Sequence, residues 1–371
     1  MIQIERVELR LIQMPLVAPF ETSFGVEEVE DHIIVRVDGG GLTGWGECVA
    51  ASGPWYSYET NQTAWHVLRD FLIPLLWTAH LERPQDFPTH VHRVRGHKMA
   101  KAGLEAALWD WYGKSQGKSL AQLFGAERDR IPVGVSVGLQ PTTAGLVKRV
   151  GQYLQEGYTR IKIKIKPGRD VELVRALRAE FPHIRLQVDA NSAFHLADAP
   201  VFKAMDEYGL LLIEQPLSND DIYQHSKLQR EVKTPLCLDE SIHTVEDAEA
   251  ALELGSCRII NIKPGRVGGF TESIKIHDLC ARLGAPVWCG GMLESGIGRA
   301  GNVALAALPN FTLPGDISAS RRYYREDLVA PEFEIDAAGM MRVPAGQGIG
   351  VEVVQARLEK LTQQQAEYRN G

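Results

Sequence analysis

The sequence predicts an α/β protein built on a (β/α)8-type barrel, and three observations favour that fold. From about residue 131, apolar strand patterns alternate with helical patterns, which is typical of βα units with parallel strands. Eight such strand patterns occur. Charged residues at their ends recur every 24 or 25 residues, as expected of a repeated unit, at Lys164, Asp189, Glu214, Asp239 and Lys263. A doubly wound open sheet, the alternative, accommodates eight evenly spaced units less easily.

Residues 1–130 predict an α+β capping domain. Three segments alternate apolar and polar residues as half-buried strands do, at 2–11, 32–37 and 42–49. Two amphipathic patterns then predict helices at 61–76, ending around Pro74, and at 99–116. We expect a three-stranded antiparallel sheet followed by helices.

Residues 131–320 predict the barrel itself, and its active site is expected at the carboxyl ends of the strands. The eight predicted strands are 132–138, 160–166, 185–191, 210–216, 235–241, 258–265, 286–291 and 311–316. Residues 321–371 then leave the barrel pattern. We expect a hairpin at 332–354, turning at 337–339, and a helix at 355–369, with this tail returning to the capping domain.

Composition excludes several classes of protein. The net charge is −7, without long charged runs, which argues against a nucleic-acid partner. No apolar stretch approaches 18 residues, so no membrane span is expected. The five cysteines are scattered without a C-x-x-C pair, which favours reduced, buried thiols in a cytoplasmic protein.

Three carboxylates at consecutive strand ends point to a metal site. Asp189, Glu214 and Asp239 each follow an apolar strand. Any one of them alone can cap the next helix, but three converging in one barrel mouth would repel each other unless a cation neutralised them. Because all three are hard oxygen ligands, we expect Mg²⁺, with Mn²⁺ as a substitute. Asn191 has the parity of Asp189, as either a site residue or a plain turn residue.

Three lysines complete the predicted chemistry. Lys162 and Lys164 lie on one side of a strand whose isoleucines face the other side, an odd pattern for structure alone. Two neighbouring ammonium groups lower each other's pKa, which suits a base near neutral pH. Lys263 ends the sixth strand, opposite the second in an eight-strand ring. Lys164 and Lys263 therefore predict two bases on opposite faces of a carbon acid, whose enediolate the metal stabilises.

This set of lysines and carboxylates resembles the enolase superfamily, in particular its muconate lactonizing enzyme subgroup. Six segments are similar to those of the o-succinylbenzoate synthase / N-succinylamino acid (N-acylamino acid) racemase family: RIKIKIKPGRD, VDANSAF, IEQPL, PLCLDES, WCGGMLESGIGR and LPGDIS. The resemblance implies a modified, TIM-like (β/α)7β barrel with a capping domain formed by both ends of the chain. It also implies a small-molecule carboxylate substrate and a homo-oligomer, either a dimer or an octamer.

Two reactions follow from the resemblance, both beginning with removal of a proton α to a carboxylate. One is the dehydration that forms o-succinylbenzoate in menaquinone synthesis, in which Lys164 is base and then acid while Lys263 stays protonated. The other is racemisation of N-succinylamino acids, in which both lysines exchange protons. Arg266 is expected to tune Lys263, unless it is a solvated loop arginine.

Further residues are expected to contact the substrate. Each also has an ordinary interpretation, as a barrel-lining hydroxyl, a βα turn or a surface loop. The candidates are Ser136, Asn191, Gly291, Met292, Leu293, Phe24 (in the FETSFG loop) and Ile317.

Competing functions can be weighed at the same strand ends. Sugar-acid dehydratases of the superfamily use a histidine after the seventh strand, where this chain has Trp288 and Cys289. Dipeptide epimerases typically carry Asp-x-Asp after the eighth strand, where Asp316 is followed by Ile317 and Ser318. A muconate-type cycloisomerase stays open because it shares the lysines and ligands. A non-catalytic binding or scaffold barrel has no need of this residue set.

Overall fold

The computed structural model describes residues 1–370, and strands alternate with helices through the middle of the chain. The strands are β1 (Arg6–Glu21), β2 (Val26–Gly39), β3 (Leu42–Cys48), β4 (Arg130–Pro132), β5 (Val135–Val137), β6 (Arg160–Lys164), β7 (Arg185–Asp189), β8 (Ile213–Glu214), β9 (Leu236–Leu238), β10 (Ile259–Ile262), β11 (Val287–Cys289), β12 (Val329–Ala330), β13 (Met340–Arg342), β14 (Glu352–Val353) and β15 (Thr362–Arg369). The helices are α1 (Asn61–Val67), α2 (Ile73–Trp77), α3 (Phe87–His90), α4 (Lys98–Ser115), α5 (Leu120–Phe124), α6 (Thr143–Gln155), α7 (Val171–Glu180), α8 (Ala199–Met205), α9 (Tyr223–Glu231), α10 (Val245–Glu253), α11 (Pro264–Val267), α12 (Phe270–Leu283), α13 (Gly296–Ala306) and α14 (Gln355–Leu361).

Strands β5 to β11 form one parallel sheet of seven strands in sequence order, which confirms the predicted barrel class. The eighth predicted strand, 311–316, forms no ladder. It spans the gap through single parallel bridges, Val287 with Phe311 and Val133 with Gly315. Pro314, which has no N–H to donate, lies within this segment, and a proline there interrupts regular pairing.

The barrel sheet is apolar on its outer face and polar near its mouth. Ile161 and Ile163 of β6 are buried in the main hydrophobic core, against the surrounding helices. Their neighbours Lys162 and Lys164 are also buried, on the opposite face of the strand. A separate apolar cluster adjoins these lysines from within the barrel, and the Trp288 ring centroid is 5.0 Å from Lys162 Nζ. The carboxyl ends of the strands are therefore the polar part of the interior.

The N-terminal region forms an antiparallel sheet of four strands in the order β15-β1-β2-β3, with α4 packed on β3. The predicted strands are present but longer, since β1 extends to Glu21 and β2 begins at Val26. The β1–β2 hairpin therefore has a tip at residues 22–25, and Ser23 Oγ donates to Asn191 O at 3.0 Å beside the barrel. The tip thus reaches the end of β7.

The helix predicted at 61–76 is continuous, but a π-helical turn, Leu68–Leu72, joins α1 to α2. Pro74 does not end it as expected. It lies in the first turn of α2, where a missing N–H costs little, and the helix continues to Trp77. The helix predicted at 99–116 is confirmed as α4.

The C-terminal tail corrects two predictions. The helix expected at 355–369 ends at Leu361, and β15 then pairs antiparallel with β1, with Leu9 opposite Ala366. The unpaired edge of β1 outweighs the helix propensity of a Gln-rich segment. The turn at 337–339 is present, with Ile335 bridged to Met341, but β13 pairs with β4 and β14 with β12 rather than forming one long hairpin. The division at 130 and 320 stays a prediction.

Two sequence expectations about class can be compared with the structure. All five cysteines are buried and form no disulfide within residues 1–370. In the same part of the chain, no helix combines the length and apolarity that a bilayer crossing requires.

A buried ion pair lies in the N-terminal sheet, at the place where this sheet contacts the barrel. Glu47 of β3 accepts hydrogen bonds from the backbone N–H groups of Ser295 (2.9 Å) and Gly298 (2.8 Å) at the start of α13. Glu47 also accepts a hydrogen bond from Ser295 Oγ (2.6 Å) and contacts His32 of β2, whose Nδ1 is 2.5 Å from Glu47 Oε1. Burial opposes the charge of His32, but contacts with Glu30 and Glu47 outweigh burial and raise its pKa to about 10. His32 is therefore a buried cation at neutral pH.

We expect this ion pair to make stability depend on alkaline pH. A pKa raised from 6.5 to about 10 gives a stabilisation that is fully present below pH 6.5 and is lost as the pH rises toward 10. At about 1.4 kcal/mol for each pKa unit, the loss amounts to a few kcal/mol. Urea unfolding at pH 6, 8 and 10 measures it.

The control variants for this experiment are His32→Gln and His183→Gln, the latter at an exposed histidine. The free energy of unfolding of His32→Gln should be lower at pH 6 and change less up to pH 10, whereas His183→Gln should follow the unmodified protein. Equal pH slopes for all three proteins would contradict the assignment.

Candidate active site

A pocket opens at the carboxyl ends of the barrel strands, beneath the tip of the β1–β2 hairpin and the loop after β3. It encloses about 700 Å³ of space, part of which is open to solvent. Nine of the predicted site residues line it: Phe24, Ser136, Lys162, Lys164, Asn191, Lys263, Gly291, Met292 and Leu293. Residues far apart in sequence thus converge where the barrel fold predicts an active site.

The three predicted carboxylates lie behind the lysines rather than on the pocket wall. Asp189 ends β7, Glu214 ends β8 and Asp239 follows β9 directly. All three are buried. Their parallel strands are in register, with Asp189 opposite Glu214. The regular spacing in the sequence therefore corresponds to neighbouring positions at one end of the sheet.

Lys162 is held as a cation by three carboxylates. Its Nζ lies 2.6 Å from Asp316 Oδ2, 2.9 Å from Glu214 Oε2 and 3.0 Å from Asp189 Oδ2. Burial opposes this charge, but the carboxylates outweigh burial and raise the pKa of Lys162 well above its usual value. The sequence predicts a lowered pKa for Lys162 because of the neighbouring charge of Lys164, and the structure gives a raised one. Lys162 therefore suits a permanent positive charge better than a base.

Lys164 is oriented by groups on β7 and the turn after it. Its Nζ donates to Asp189 Oδ2 at 2.7 Å and to Asn191 Oδ1 at 2.6 Å. Asn191 in turn donates through Nδ2 to Glu240 Oε1 at 3.0 Å and has a left-handed backbone, with φ of 42°. This conformation is uncommon outside glycine, although asparagine tolerates it better than most residues. Asn191 therefore lies in a turn and also contacts Lys164, and its role as a site residue stays a prediction.

Lys263 lies between β10 and α11, and its side chain enters the pocket from a different part of the barrel mouth than Lys164 does. Its Nζ lies 2.8 Å from Asp239 Oδ2 and 3.2 Å from Tyr56 Oη. Tyr56 Oη also donates to Asp239 Oδ1 at 3.0 Å. Burial opposes the charge of Lys263, but Asp239 outweighs it and raises the pKa of the lysine. Asp239 thus holds both Lys263 and a tyrosine from the loop above.

Arg266 is buried, which excludes its interpretation as a solvated loop residue. Its guanidinium group contacts Asp239 and donates to the carbonyl oxygens of Asn261 (Nη2, 2.6 Å) and Ile242 (Nε, 2.6 Å). It reaches Lys263 through the carboxylate that they share. Any influence on Lys263 therefore acts by competition for Asp239 rather than by a direct contact.

The carboxylate oxygens of Asp189, Glu214 and Asp239 are chemically suited to bind a divalent cation. Within residues 1–370, no three His, Cys, Asp or Glu side chains converge as a formed metal centre, because lysine and arginine groups take the carboxylate oxygens. Burial and the charges of Asp189 and Asp239 raise the pKa of Glu214 well above its usual value. Among the same residues, buried Glu240 Oε2 lacks a hydrogen-bond partner. Three buried carboxylates supply the hard oxygen donors that Mg²⁺ prefers, so the residues fit such a cation.

The loop after β11 approaches the site closely because it carries glycines. A Cβ at Gly290 would lie 2.7 Å from Lys263 Cε, and one at Gly291 would lie 2.4 Å from Asp316 O. Leu293 has a left-handed backbone, with φ of 54°. Ile317, by contrast, is packed in the main hydrophobic core and does not line the pocket, since its side chain turns away from the substrate side.

Sequence reasoning missed several pocket residues. Glu27, Glu30 and Tyr56 come from the N-terminal region, and Tyr323 follows the barrel. None of them ends a barrel strand, so the spacing that found the other site residues carries no signal for them. Asp316 ends the eighth predicted strand as Asp189 and Glu214 end theirs, and its position at a strand end is the signal that could have identified it as a site residue.

Family models match most of the chain. Residues 6–125 match the mandelate racemase / muconate lactonizing enzyme N-terminal domain, and residues 145–357 match the enolase C-terminal domain-like family.

Known proteins match over nearly the full length. An o-succinylbenzoate synthase of Geobacillus kaustophilus is 52% identical over 363 residues, or 98% of this chain and 96% of that protein. An N-succinylamino acid racemase of an Amycolatopsis species is 50% identical over 357 residues, or 96% of each. The solved structure of an enolase superfamily member from Listeria innocua superposes with a TM-score of 0.96 at 42% identity, covering 99% of both chains. The resemblance drawn from the lysines and carboxylates is therefore confirmed, and this chain belongs to the enolase superfamily.

Proposed function

We propose that this enzyme removes the proton α to a substrate carboxylate, and that it acts as an o-succinylbenzoate synthase, an N-succinylamino acid racemase or both. The observation that carries this proposal is the entry of Lys164 and Lys263 into one pocket from β6 and from the end of β10, with three strands between them. Relatives that bear each of the two names are similarly close, at 52% and 50% identity. The two activities need the same first step.

We further propose that Asp189, Glu214 and Asp239 hold Mg²⁺, with Mn²⁺ as a substitute. Their burial and oxygen chemistry support this assignment. A divalent cation at such a site supplies electrostatic stabilisation to a substrate carboxylate whose α-carbon loses a proton.

The two lysines have different tasks in dehydration and the same task in racemisation. With its proton removed, Lys164 Nζ takes the α-proton, and in dehydration it returns that proton to the departing hydroxyl group. Lys263 keeps its proton in dehydration, where the neighbouring Asp239 favours the charged form, and it donates a hydrogen bond to the developing oxyanion. In racemisation, each lysine takes or delivers a proton on its own face of the α-carbon.

The other pocket groups bind and orient the substrate in this proposal. Lys162, as a fixed cation, offsets the mutual repulsion of the carboxylates around it. Ser136 Oγ is buried without a hydrogen-bond partner among residues 1–370 and is free to bind a polar group of the substrate. The loop of Gly291, Met292 and Leu293 lines the pocket beside the position proposed for the substrate carboxylate, although the Met292 N–H donates to Glu294 Oε2 at 2.9 Å, and Phe24 covers the pocket from the hairpin tip. A muconate-type cycloisomerase would use the same lysines, but no pocket contact favours it. The expected homo-oligomer stays a prediction.

We expect both lysines to be required for racemisation. Proton NMR of N-succinyl-L-methionine with the enzyme and Mg²⁺ in D₂O should show loss of the α-proton signal and formation of the D-isomer. Lys164→Ala and Lys263→Ala should each lower the rate of racemisation by at least about 10³-fold, because each removes one of two proton-transfer groups. Lys148→Ala, at an exposed lysine of α6, is the control and should retain the full rate.

The same variants distinguish the two activities. Lys164→Ala should abolish dehydration, because it removes the group that acts as base and then as acid. Lys263→Ala should lower the rate of dehydration without abolishing it, because it removes only the ammonium group that donates to the oxyanion. An unmodified enzyme that binds metal yet exchanges no α-proton in any N-succinylamino acid would leave the synthase and remove the racemase from the proposal.

Metal binding is expected to depend on the predicted ligands. Calorimetric titration with Mg²⁺ should show one site in the unmodified protein, and Asp239→Asn should weaken it at least about tenfold by removing a charged ligand. Asp278→Asn, at an exposed carboxylate of α12, should bind Mg²⁺ as the unmodified protein does. Absence of Mg²⁺ and Mn²⁺ binding in the unmodified protein would overturn the metal-dependent mechanism and favour a non-catalytic barrel.

Substitution of Gly290 tests the close approach beside Lys263. A Cβ there would lie 2.3 Å from Asn261 Oδ1 and 2.7 Å from Lys263 Cε, so Gly290→Ala must displace one of these side chains. We expect kcat/KM for α-proton exchange to fall at least about tenfold, since a misplaced catalytic group costs this much or more. Gly151→Ala in α6, where the nearest atom to a new Cβ is 3.5 Å away, is the matched control. Unchanged activity in Gly290→Ala would contradict the need for a side-chain-free position beside Lys263 and Asn261.

A further inference from the structure

An acidic groove runs beside the candidate active site, along the start of β2. It is lined by residues 24–31 and by Ala51, Ser52 and Trp55 of the loop after β3. Four of its side chains are carboxylates, Glu27, Glu28, Glu30 and Asp31. The proposed reaction uses none of them. We call this feature the acidic groove.

Two of these carboxylates are buried without full hydrogen bonding. Glu30 is 5% exposed and Asp31 is 9% exposed. Glu30 Oε1 and Asp31 Oδ1 have no hydrogen-bond partner within residues 1–370. A buried carboxylate oxygen without a donor costs free energy unless a ligand or solvent supplies one. The carboxyl proton of Glu27, which hydrogen-bonds Glu30, is the donor that the groove itself supplies, and Asp31 Oδ1 has none among the described residues.

Positive charge close to the groove is scarce. Among residues 1–370, the one cationic group within 4 Å of its four carboxylates is His32, whose Nε2 is 3.6 Å from Glu30 Oε2. His32 is closer to Glu47, at 2.5 Å, and is shared with it. Burial and the neighbouring Glu30 raise the pKa of Glu27 to about 8, so this carboxyl keeps a proton at neutral pH rather than adding a further charge. An incoming cation would replace that proton.

The acidic groove is continuous with the catalytic pocket. Phe24, Glu27, Glu30 and Ala51 line both. The charge of Lys164 lowers the pKa of Glu27, which places this carboxyl within electrostatic reach of the lysine. A chain attached to a carbon atom held near Lys164 can therefore pass Glu27 and Glu30 into the groove. Trp55, which is 65% exposed, offers an aromatic face at its outer side.

We propose that the acidic groove binds the cationic end of a substrate side chain, so that the preferred substrates are N-acyl derivatives of lysine-like or arginine-like amino acids. This inference rests on the proposed racemase function and names its substrate class. An ammonium or guanidinium group supplies several N–H donors, which is what the buried oxygens lack.

The experiment compares substrates of matched shape in the Mg²⁺-loaded enzyme. N-succinyl-L-arginine and N-succinyl-L-citrulline differ in charge but hardly in size, and N-succinyl-L-lysine and N-succinyl-L-norleucine form a second pair. The rate of α-proton exchange in D₂O gives kcat/KM for each, and calorimetry gives the dissociation constant. We expect the cationic member of each pair to be preferred at least about tenfold, as for a charge-assisted hydrogen bond.

Two groove variants and one control locate the preference. Asp31→Asn and Glu30→Gln should each reduce the preference for arginine over citrulline several-fold, and Asp31→Asn, at a residue that does not line the catalytic pocket, should leave kcat/KM for N-succinyl-L-norleucine unchanged. Asp31 has no salt bridge to lose, and Asp31→Asn therefore tests the groove even if Glu30→Gln disturbs the contact with His32. Glu180→Gln, at an exposed carboxylate at the end of α7, should retain the full preference.

The outcomes separate this inference from the proposed function. Exchange of all four substrates without preference for the cationic members would overturn the groove proposal and leave the racemase intact. A preference that persists in both groove variants would also overturn it. Exchange of none of them, with equal dissociation constants within each pair, would remove both the racemase function and the groove proposal.

Discussion

The balance of charge inside the barrel is the constraint on which the site depends. A lysine or carboxylate buried alone costs several kcal/mol, so neither kind of group is tolerated there without the other. Lys162 meets this constraint by contacts with Asp189, Glu214 and Asp316 at 2.6–3.0 Å. These contacts keep the strand ends together and fix Lys162 in its charged form.

The same constraint links the chemical groups to one another. Asp189 serves both Lys162 and Lys164, and Asp239 serves both Lys263 and Arg266. A change of charge at either carboxylate therefore alters two cations at once. The residues proposed to move protons are in this way coupled to those proposed to hold a metal, and neither set can be adjusted independently.

The two regions of the chain contribute different properties to the pocket. Barrel strands supply the charged groups, which lie on rigid elements with in-register pairing. The N-terminal region supplies the cover, through the β1–β2 hairpin tip and the loop carrying Tyr56 and Trp55. Loops tolerate variation better than strands do, so selectivity for the substrate can change there without disturbing the buried charges.

The barrel and its charged residues could be predicted because both depend on short-range patterns. Alternation along β6 places Lys162 and Lys164 on one face, and a constant repeat length places Asp189, Glu214 and Asp239 at one end of the sheet. Such regularities survive in the sequence because each repeat folds alike. The superfamily followed from the same residues.

Other features could not be predicted because they arise from contacts between distant segments. Tyr56 reaches Asp239 from a turn-rich loop that has no periodicity. The segment 362–369 has residues typical of a helix, and only the free edge of β1 makes it a strand. Ile317 follows a strand end, yet its side chain belongs to the core. In each case the deciding partner lies far away along the chain.

The pairing of β15 with β1 has a consequence for the order of folding. Arg6 lies opposite Arg369, so β1 pairs along one edge with a strand that follows the whole barrel in the sequence. During synthesis, β1 can pair with β2, whereas its other edge stays unpaired until the barrel and β15 have been made. Such a contact closes a very long loop of chain, and the entropy of that closure places the completion of this sheet late. The hairpin that covers the pocket is part of the same sheet, so the sheet that carries the cover of the active site is complete only after β15 has been made.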